Sequence, residues 1–127
     1  MERGAFFSNE PHRSTAPFSH LVRVGDLGFV SGIIGQYRDD GPVVSADVTV
    51  QCEMMFDNVQ TLLGEVGLEF QHLVRTTLYL TDYADFDALN TVYERRLKAP
   101  YPARTTVQVA GLPLGAAVQV DAVVAFP

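Results

Sequence analysis

An α+β sandwich, one sheet with two helices packed on one of its faces, is the fold predicted by the order of patterns in this sequence. Alternating or continuously apolar runs, and runs with apolar residues three and four apart, succeed one another as β-β-α-β-α-β-β. The chain has 127 residues, 47% of them hydrophobic, which suffices for a single domain over 1–127 with its own core. The last strand, 117–125, places Val118, Val120, Ala122 and Val124 on one side, yet Val123 and Ala125 on the other are apolar too. A strand apolar on both sides has both faces covered. Two helices cover one face of such a sheet, so another copy of the chain is expected over the other, making a homo-oligomer.

Each element has its own local signal. Ala5-Phe6-Phe7 is a short edge strand in an otherwise polar N-terminal stretch. Ser19 to Val24 and Leu27 to Ile33 are strands joined at Gly25-Asp26, a hairpin turn of the Gly-X kind. A polar loop, Gln36 to Pro42, follows. Cys52, Met55, Phe56, Val59, Leu62, Leu63 and Val66 then form one apolar helix face, with Asp47 as N-cap and Gly67 as stop. Leu73 to Leu80 is a strand. A second helix over 84–98 carries Phe86, Leu89, Tyr93 and Leu97 on one face and ends before Pro100. Strands 104–110 and 117–125 complete the order, and a hairpin around Leu112-Pro113 is expected to pair them.

Bulk properties exclude several classes of function. A net charge of −6 argues against a nucleic-acid or anionic-membrane surface. Arg95, Arg96 and Lys98 fit the last turn of a helix, where cations complement its dipole. The single cysteine, Cys52, forms no internal disulfide and fits a reducing compartment. There is no apolar run of membrane-spanning length and no signal-peptide pattern. The expectation is a soluble, cytoplasmic protein.

The strongest chemical signal is Tyr101-Pro102-Ala103-Arg104-Thr105-Thr106, which brings an arginine along a proline-bracketed path onto the start of a buried strand. No neighbour in sequence neutralises it, and a guanidinium suits a carboxylate. Asp121 is the lone acid in the valine-rich last strand, a costly position unless the group is paired or working. In the expected hairpin Arg104 and Asp121 fall roughly opposite each other, either as a structural ion pair or as a site. Asn90 lies on the second helix's apolar stripe, as a core amide bonded to backbone or as an amide shown to a cavity. Ser31-Gly32 ends a strand without forming a nucleophile elbow, and Gly28, Gly32 and Gly35 fail as a dinucleotide fingerprint. His12, His20 and His72 lack metal-site spacing, so no metal and no cofactor are expected. Cys52 completes a hydrophobic stripe with nothing to activate it. Tyr37 and Arg38 are loop residues.

Taken together, these elements resemble the Rid family, the YjgF-type reactive intermediate deaminases. The resemblance runs through Ala16-Pro17-Phe18, Leu27-Gly28-Phe29-Val30-Ser31-Gly32, Asp57-Asn58-Val59 and Val74-Arg75-Thr76-Thr77-Leu78-Tyr79-Leu80. It continues in Phe86, Asn90-Thr91-Val92-Tyr93, Pro102-Ala103-Arg104, Leu112-Pro113 and Val120-Asp121-Ala122. It implies a chorismate-mutase-like α+β fold with a mixed sheet and two helices on one face. It also implies a homotrimer with the sheets packed inward and clefts between subunits. The implied activity is cofactor-free hydrolysis of 2-imino acids or enamines to 2-oxo acids and ammonia. Residue by residue, Arg104 matches the arginine that grips the substrate carboxylate, Ser31 and Gly32 the strand-end pair at the ligand, and Asn90 the helix asparagine at the cleft.

Three positions depart from the best-known deaminases of the family. Phe18 stands where a tyrosine is usual, Thr106 where a cysteine is common, and Asp121 where a glutamate positions the water. The clamp is kept while the water-handling side is altered. Three functions follow: a general imine deaminase, an enzyme for a specialised pathway enamine (aminomuconate-like or natural-product), or a non-catalytic module that binds small carboxylates. Arg104 serves all three. Asp121 separates enzyme from binder, because an anion site gains nothing from a nearby carboxylate.

Overall fold

A computed structural model describes residues 2–7, 16–37 and 42–127. Six strands form one sheet: β1 (Arg3–Phe6), β2 (Leu21–Val24), β3 (Leu27–Ile34), β4 (Leu73–Leu80), β5 (Ala103–Gln108) and β6 (Val118–Ala125). Two helices, α1 (Val48–Glu65) and α2 (Phe86–Arg96), follow β3 and β4. The mixed α+β architecture agrees with the sequence, as do β1 as a short edge strand, the β2–β3 hairpin with Gly25 at φ 60° and both helices. α2 is shorter than expected, because Tyr83–Asp85 form a 3-10 turn ahead of it. His12 and Arg38 lie outside the described residues.

α1 begins where expected: the Asp47 carboxylate accepts from the backbone N–H of Thr49 at 2.8 Å and of Val50 at 3.3 Å. Its stripe of Cys52, Met55, Phe56, Val59, Leu62 and Leu63 is fully buried against the sheet, with Val30, Leu78, Val118 and Val120 in the same cluster. Arg96 does more than complement a dipole. It bridges the helices, 2.9 Å from Glu53 and 2.8 Å from Asp57 of α1, and Arg95 also pairs with Glu53. Beside β3, Gly35 is obligatory for a close approach: a Cβ there would lie 2.4 Å from the Gln51 carbonyl oxygen. Asn58, fully buried on α1, ties down the same stretch by donating to the carbonyls of Ile34 and Gln36 at 3.1 and 2.9 Å.

The expected β5–β6 hairpin is not formed. Strand order is β1-β2-β3-β6-β4-β5, with β5 parallel to β4 and β6 antiparallel to both β3 and β4. The β4-α2-β5 passage is a β-α-β crossover, which returns the chain beside β4 in the same direction. β6 then takes β4's other side. The residues explain the choice: β5 is polar and partly exposed and suits an edge, whereas β6, apolar on both sides, suits the centre.

This order separates Arg104 from Asp121. Arg104 is in register with Thr76, and Thr76 with Ala122, whereas Asp121 is in register with Thr77. Adjacent strand residues point to opposite faces. Arg104 therefore projects to the helix-covered face and Asp121 to the outer one, with β4 between their strands. No helix among the described residues is long and apolar enough to cross a membrane.

Candidate functional site

On the helix-covered side, β5 presents Arg104 to α2. Its guanidinium carbon sits 4.5 Å from the ring centre of Tyr93 and 5.5 Å from that of Phe86. Its Nε donates to the Thr106 hydroxyl at 2.8 Å. Tyr93 is itself fixed by a 2.8 Å hydrogen bond between its hydroxyl and that of Thr76. Nη2 is buried and has no hydrogen-bond partner, and no carboxylate among the described residues lies within ion-pair distance. Burial pushes the Arg104 guanidinium below its ordinary value, against the opposing influence of the Tyr93 and Tyr83 phenols. It keeps its charge at neutral pH. A half-buried cation with a buried, unused N–H has room for an anionic partner, because a missing partner costs about 1–3 kcal/mol.

Asn90 occupies the same side of α2, one turn after Phe86 and three residues before Tyr93. It is partly buried, and its amide makes no hydrogen bond to any described residue, so it is not the core amide tied to backbone. Arg104 and Thr106 thus meet at the Phe86 and Tyr93 rings, and Asn90 shares the helix face that carries those rings.

The second group forms on the outer face. Between the pairs Val30–Ala122 and Ile33–Val120, β3 carries two residues, Ser31 and Gly32, against Asp121 alone on β6. This bulge bends the strand at the residue pair singled out from sequence. Ser31 is anchored: its hydroxyl donates to the Ser19 carbonyl at 2.6 Å and its N–H to that of His20 at 3.0 Å. The anchoring holds the Phe18-Ser19-His20 segment beside the bulge, with the Phe18 ring edge-on to His20 at 5.6 Å. The Gln119 amide lies over Gly32, 2.7 Å from where a Cβ would sit, so a side chain there would push the amide aside. Asp121 accepts a hydrogen bond from the Tyr79 hydroxyl at 2.7 Å.

The predicted residues therefore fall into two sets, Arg104, Thr106 and Asn90 in one, and Asp121, Ser31, Gly32 and Phe18 in the other. Tyr79 and Gln119 were not singled out from sequence. Their signal was available in the alternation of β4 and β6, which puts both on the face of Asp121. Tyr93 was read only as a helix-face residue, although it forms the platform under Arg104. Cys52 is fully buried, and burial pushes its thiol up to about 12, so it is no nucleophile. Among the described residues no group of three or more His, Cys, Asp or Glu forms a metal-binding cluster. A groove of about 930 Å³ between the C-terminal ends of α1 and α2, lined by Phe70, His72, Arg96 and Lys98 among others, contains none of the predicted residues.

Residues 7–126 match the family described as Endoribonuclease L-PSP. The chain is 39% identical to Protein DfrA of Myxococcus xanthus over 97% of this chain and 95% of that protein. It is 35% identical to the human 2-iminobutanoate/2-iminopropanoate deaminase over 84% of this chain and 78% of that one. Its structure is similar to that of RidA from an Antarctic Psychrobacter, with a TM-score of 0.91 at 28% identity, covering 97% and 99% of the two chains. It is similar also to E. coli TdcF with bound serine, with a TM-score of 0.89 at 28% identity, covering 98% and 99%. A match over nearly the whole sequence, relatives named as imine deaminases and a shared fold lead to one conclusion: the chain belongs to the Rid (YjgF) family.

Proposed function

We propose that this protein hydrolyses 2-imino acids or their enamine tautomers to 2-oxo acids and ammonia, without a cofactor. We further propose that it works as a homotrimer whose clefts join Arg104 of one copy to Asp121 of another. The observation that carries the reading is Arg104: a half-buried guanidinium, stacked on two rings, with a buried N–H that has no partner. A substrate carboxylate supplies that partner. Relatives named as 2-iminobutanoate/2-iminopropanoate deaminases act on substrates with such a carboxylate.

The separation of the two residue sets supports the trimer. Arg104 and Asp121 face opposite sides of one sheet, so both reach one ligand only across a contact between copies. The outer face suits such a contact, with Leu27, Phe29 and Val107 exposed at 43%, 47% and 38%, and Val22, Val123 and Ala125 only partly covered.

In the reaction, Arg104 fixes the carboxylate and with it the imine carbon. Water adds its oxygen to the carbon of the protonated imine while Asp121 accepts the water proton, and the C=N π electrons settle on nitrogen, which becomes a neutral amine. Asp121 returns the proton to nitrogen, the C–N bond breaks with its electron pair leaving on ammonia, and the hydroxyl loses its proton to give the 2-oxo acid. The Asn90 amide and the Gly32 backbone are polar groups proposed to hold the substrate, with Ser31, bonded to Ser19 and His20, fixing the bulge. Ammonia release from imines generated in situ by an amino-acid oxidase, across a panel of side chains, tests the reading. Release well above the enzyme-free rate is expected. No acceleration with any imine, together with binding of the 2-oxo acid, would make the protein a carboxylate-binding module.

A further inference from the structure

The two rings beside Arg104 continue into two more. Phe86 is stacked on Tyr83, with ring centres 4.9 Å apart and planes 13° from parallel, and Tyr93 lies 6.3 Å from Tyr101 at 39°. Tyr93 is buried, whereas Tyr83 and Tyr101 are 44% and 48% exposed. The cation therefore belongs to an aromatic cluster whose ends are open to solvent. The strand that presents Arg104 also moors Tyr83. Arg104, Thr106 and Gln108 alternate along the helix-covered side of β5, and the Gln108 side-chain oxygen accepts the Tyr83 N–H at 2.7 Å. Asp82 caps the same 3-10 turn through the Ala84 N–H at 2.9 Å. The Tyr83 phenol is near enough to act on the Arg104 charge, against the larger effect of burial. One face of the Tyr83 ring is taken by Phe86, so its exposure belongs to the rest of the ring. A small aliphatic carboxylate on Arg104 leaves that surface in water. Phe86 lies 5.5 Å from the guanidinium carbon, so a ring set one methylene from a 2-imino acid comes within reach of Tyr83. Such a ring covers apolar surface and adds an aromatic pair, which is worth about two- to tenfold in affinity beyond the area buried.

We propose that Tyr83 is a specificity-determining residue, and that the Arg104 site prefers carboxylates with an aromatic side chain to small aliphatic ones. The inference rests on the reading of Arg104 as the carboxylate receptor of an imine hydrolase. Two measurements test it together. One is calorimetry with two inert 2-oxo acids, phenylpyruvate and pyruvate. The other is ammonia release from the imines that an amino-acid oxidase makes from phenylalanine and alanine. Wild type should bind phenylpyruvate at least about tenfold more tightly than pyruvate, with the same order in kcat/KM. Tyr83→Leu, which keeps an apolar side chain without a ring, should narrow both ratios about three- to tenfold, mainly through Kd and KM. Tyr83→Phe, which keeps the ring, should preserve them. Equal affinity of wild type for the two acids would overturn the inference. So would a Tyr83→Leu variant that keeps the wild-type ratios or that loses equally with both ligands. No ammonia from either imine, with phenylpyruvate still preferred, would remove the hydrolase reading and leave selection by Tyr83 standing. Failure to bind either acid would remove Arg104 as receptor and this inference with it.

Discussion

The two faces of the sheet are built from the same strands and could hardly differ more. On the helix side, Leu21, Leu78, Leu80, Val118, Val120 and Val124 are buried to within 2% or less of full enclosure. On the outer side Phe29 is 47% exposed, and Thr77, Tyr79, Gln119 and Asp121 are only partly covered. One face is complete within a single chain. The other carries apolar groups around a polar centre, a composition suited to a contact that also holds a ligand. Of the proposed catalytic groups, the anion receptor Arg104 belongs to the finished face and the proton-handling Asp121 to the unfinished one. On the proposed reading, binding and chemistry belong to opposite sides of one layer.

The largest expected effect comes from the finished face. Arg104→Ala removes the proposed carboxylate receptor, whose charged hydrogen bonds would be worth about 1.5–3 kcal/mol each. Imine hydrolysis should fall by at least about 10²-fold while circular dichroism and assembly stay as in wild type. A variant with half the wild-type kcat/KM would remove Arg104 from the reaction.

An acid at Phe29 attacks the unfinished face instead. Phe29→Asp puts a charge at the centre of the expected contact and should turn a trimer of the 13.9 kDa chain into folded monomers, with loss of turnover. Light scattering and activity on one preparation read both effects. Wild-type protein that stays a stable monomer at micromolar concentration would sink the shared-cleft arrangement.

Asp121→Asn is a gentler probe of the same side. It keeps size and can still accept from Tyr79, so melting should hardly move, while turnover should drop roughly 10²-fold. Affinity for an inert 2-oxo acid should be equal or higher. Unchanged turnover would leave the outer face with an assembly role alone.

The smallest effect tests the finished face for pH sensitivity. Burial first, with smaller contributions from Asp85, Glu53 and Asp47, raises the Cys52 thiol from 9.0 to about 12. A raised folded value means that the contribution to stability is whole below about 9.0 and is lost as pH climbs toward about 12, where the unfolded thiol ionises and the folded one does not. Thermal melts across that window should fall for wild type and fall less for Cys52→Ala. Identical slopes would show that the thiol is not the titrating group.

Local signals were legible in the sequence, and long-range ones were not. The apolar stripe of α1, its Asp47 cap and the Gly25-Asp26 turn depend on residues within a few positions of one another, and each appears where periodicity put it. Which strands neighbour each other depends on loop paths and on burial of the whole sheet. Proximity in sequence suggested pairing 104–110 with 117–125, but β4 lies between them. The clue was present, since Val123 and Ala125 mark β6 as a central strand. Arg104 stood out because no local acid answers it. Tyr79 did not, because an aromatic in a strand reads as packing until the residue across the ladder is known.

The place of β6 in the sheet also sets the order in which this fold can be completed. β2 with β3, and β4 with β5, can each associate early, yet they share no edge until residues 118–125 slide between β3 and β4. During synthesis from the N-terminus, both flanking strands wait with unpaired backbone on the sides that β6 will occupy. Those waiting edges are the chain's most exposed moment on the ribosome. A holdase that shields extended segments, or a substitution that slows the arrival of β6, would act there rather than on the finished molecule.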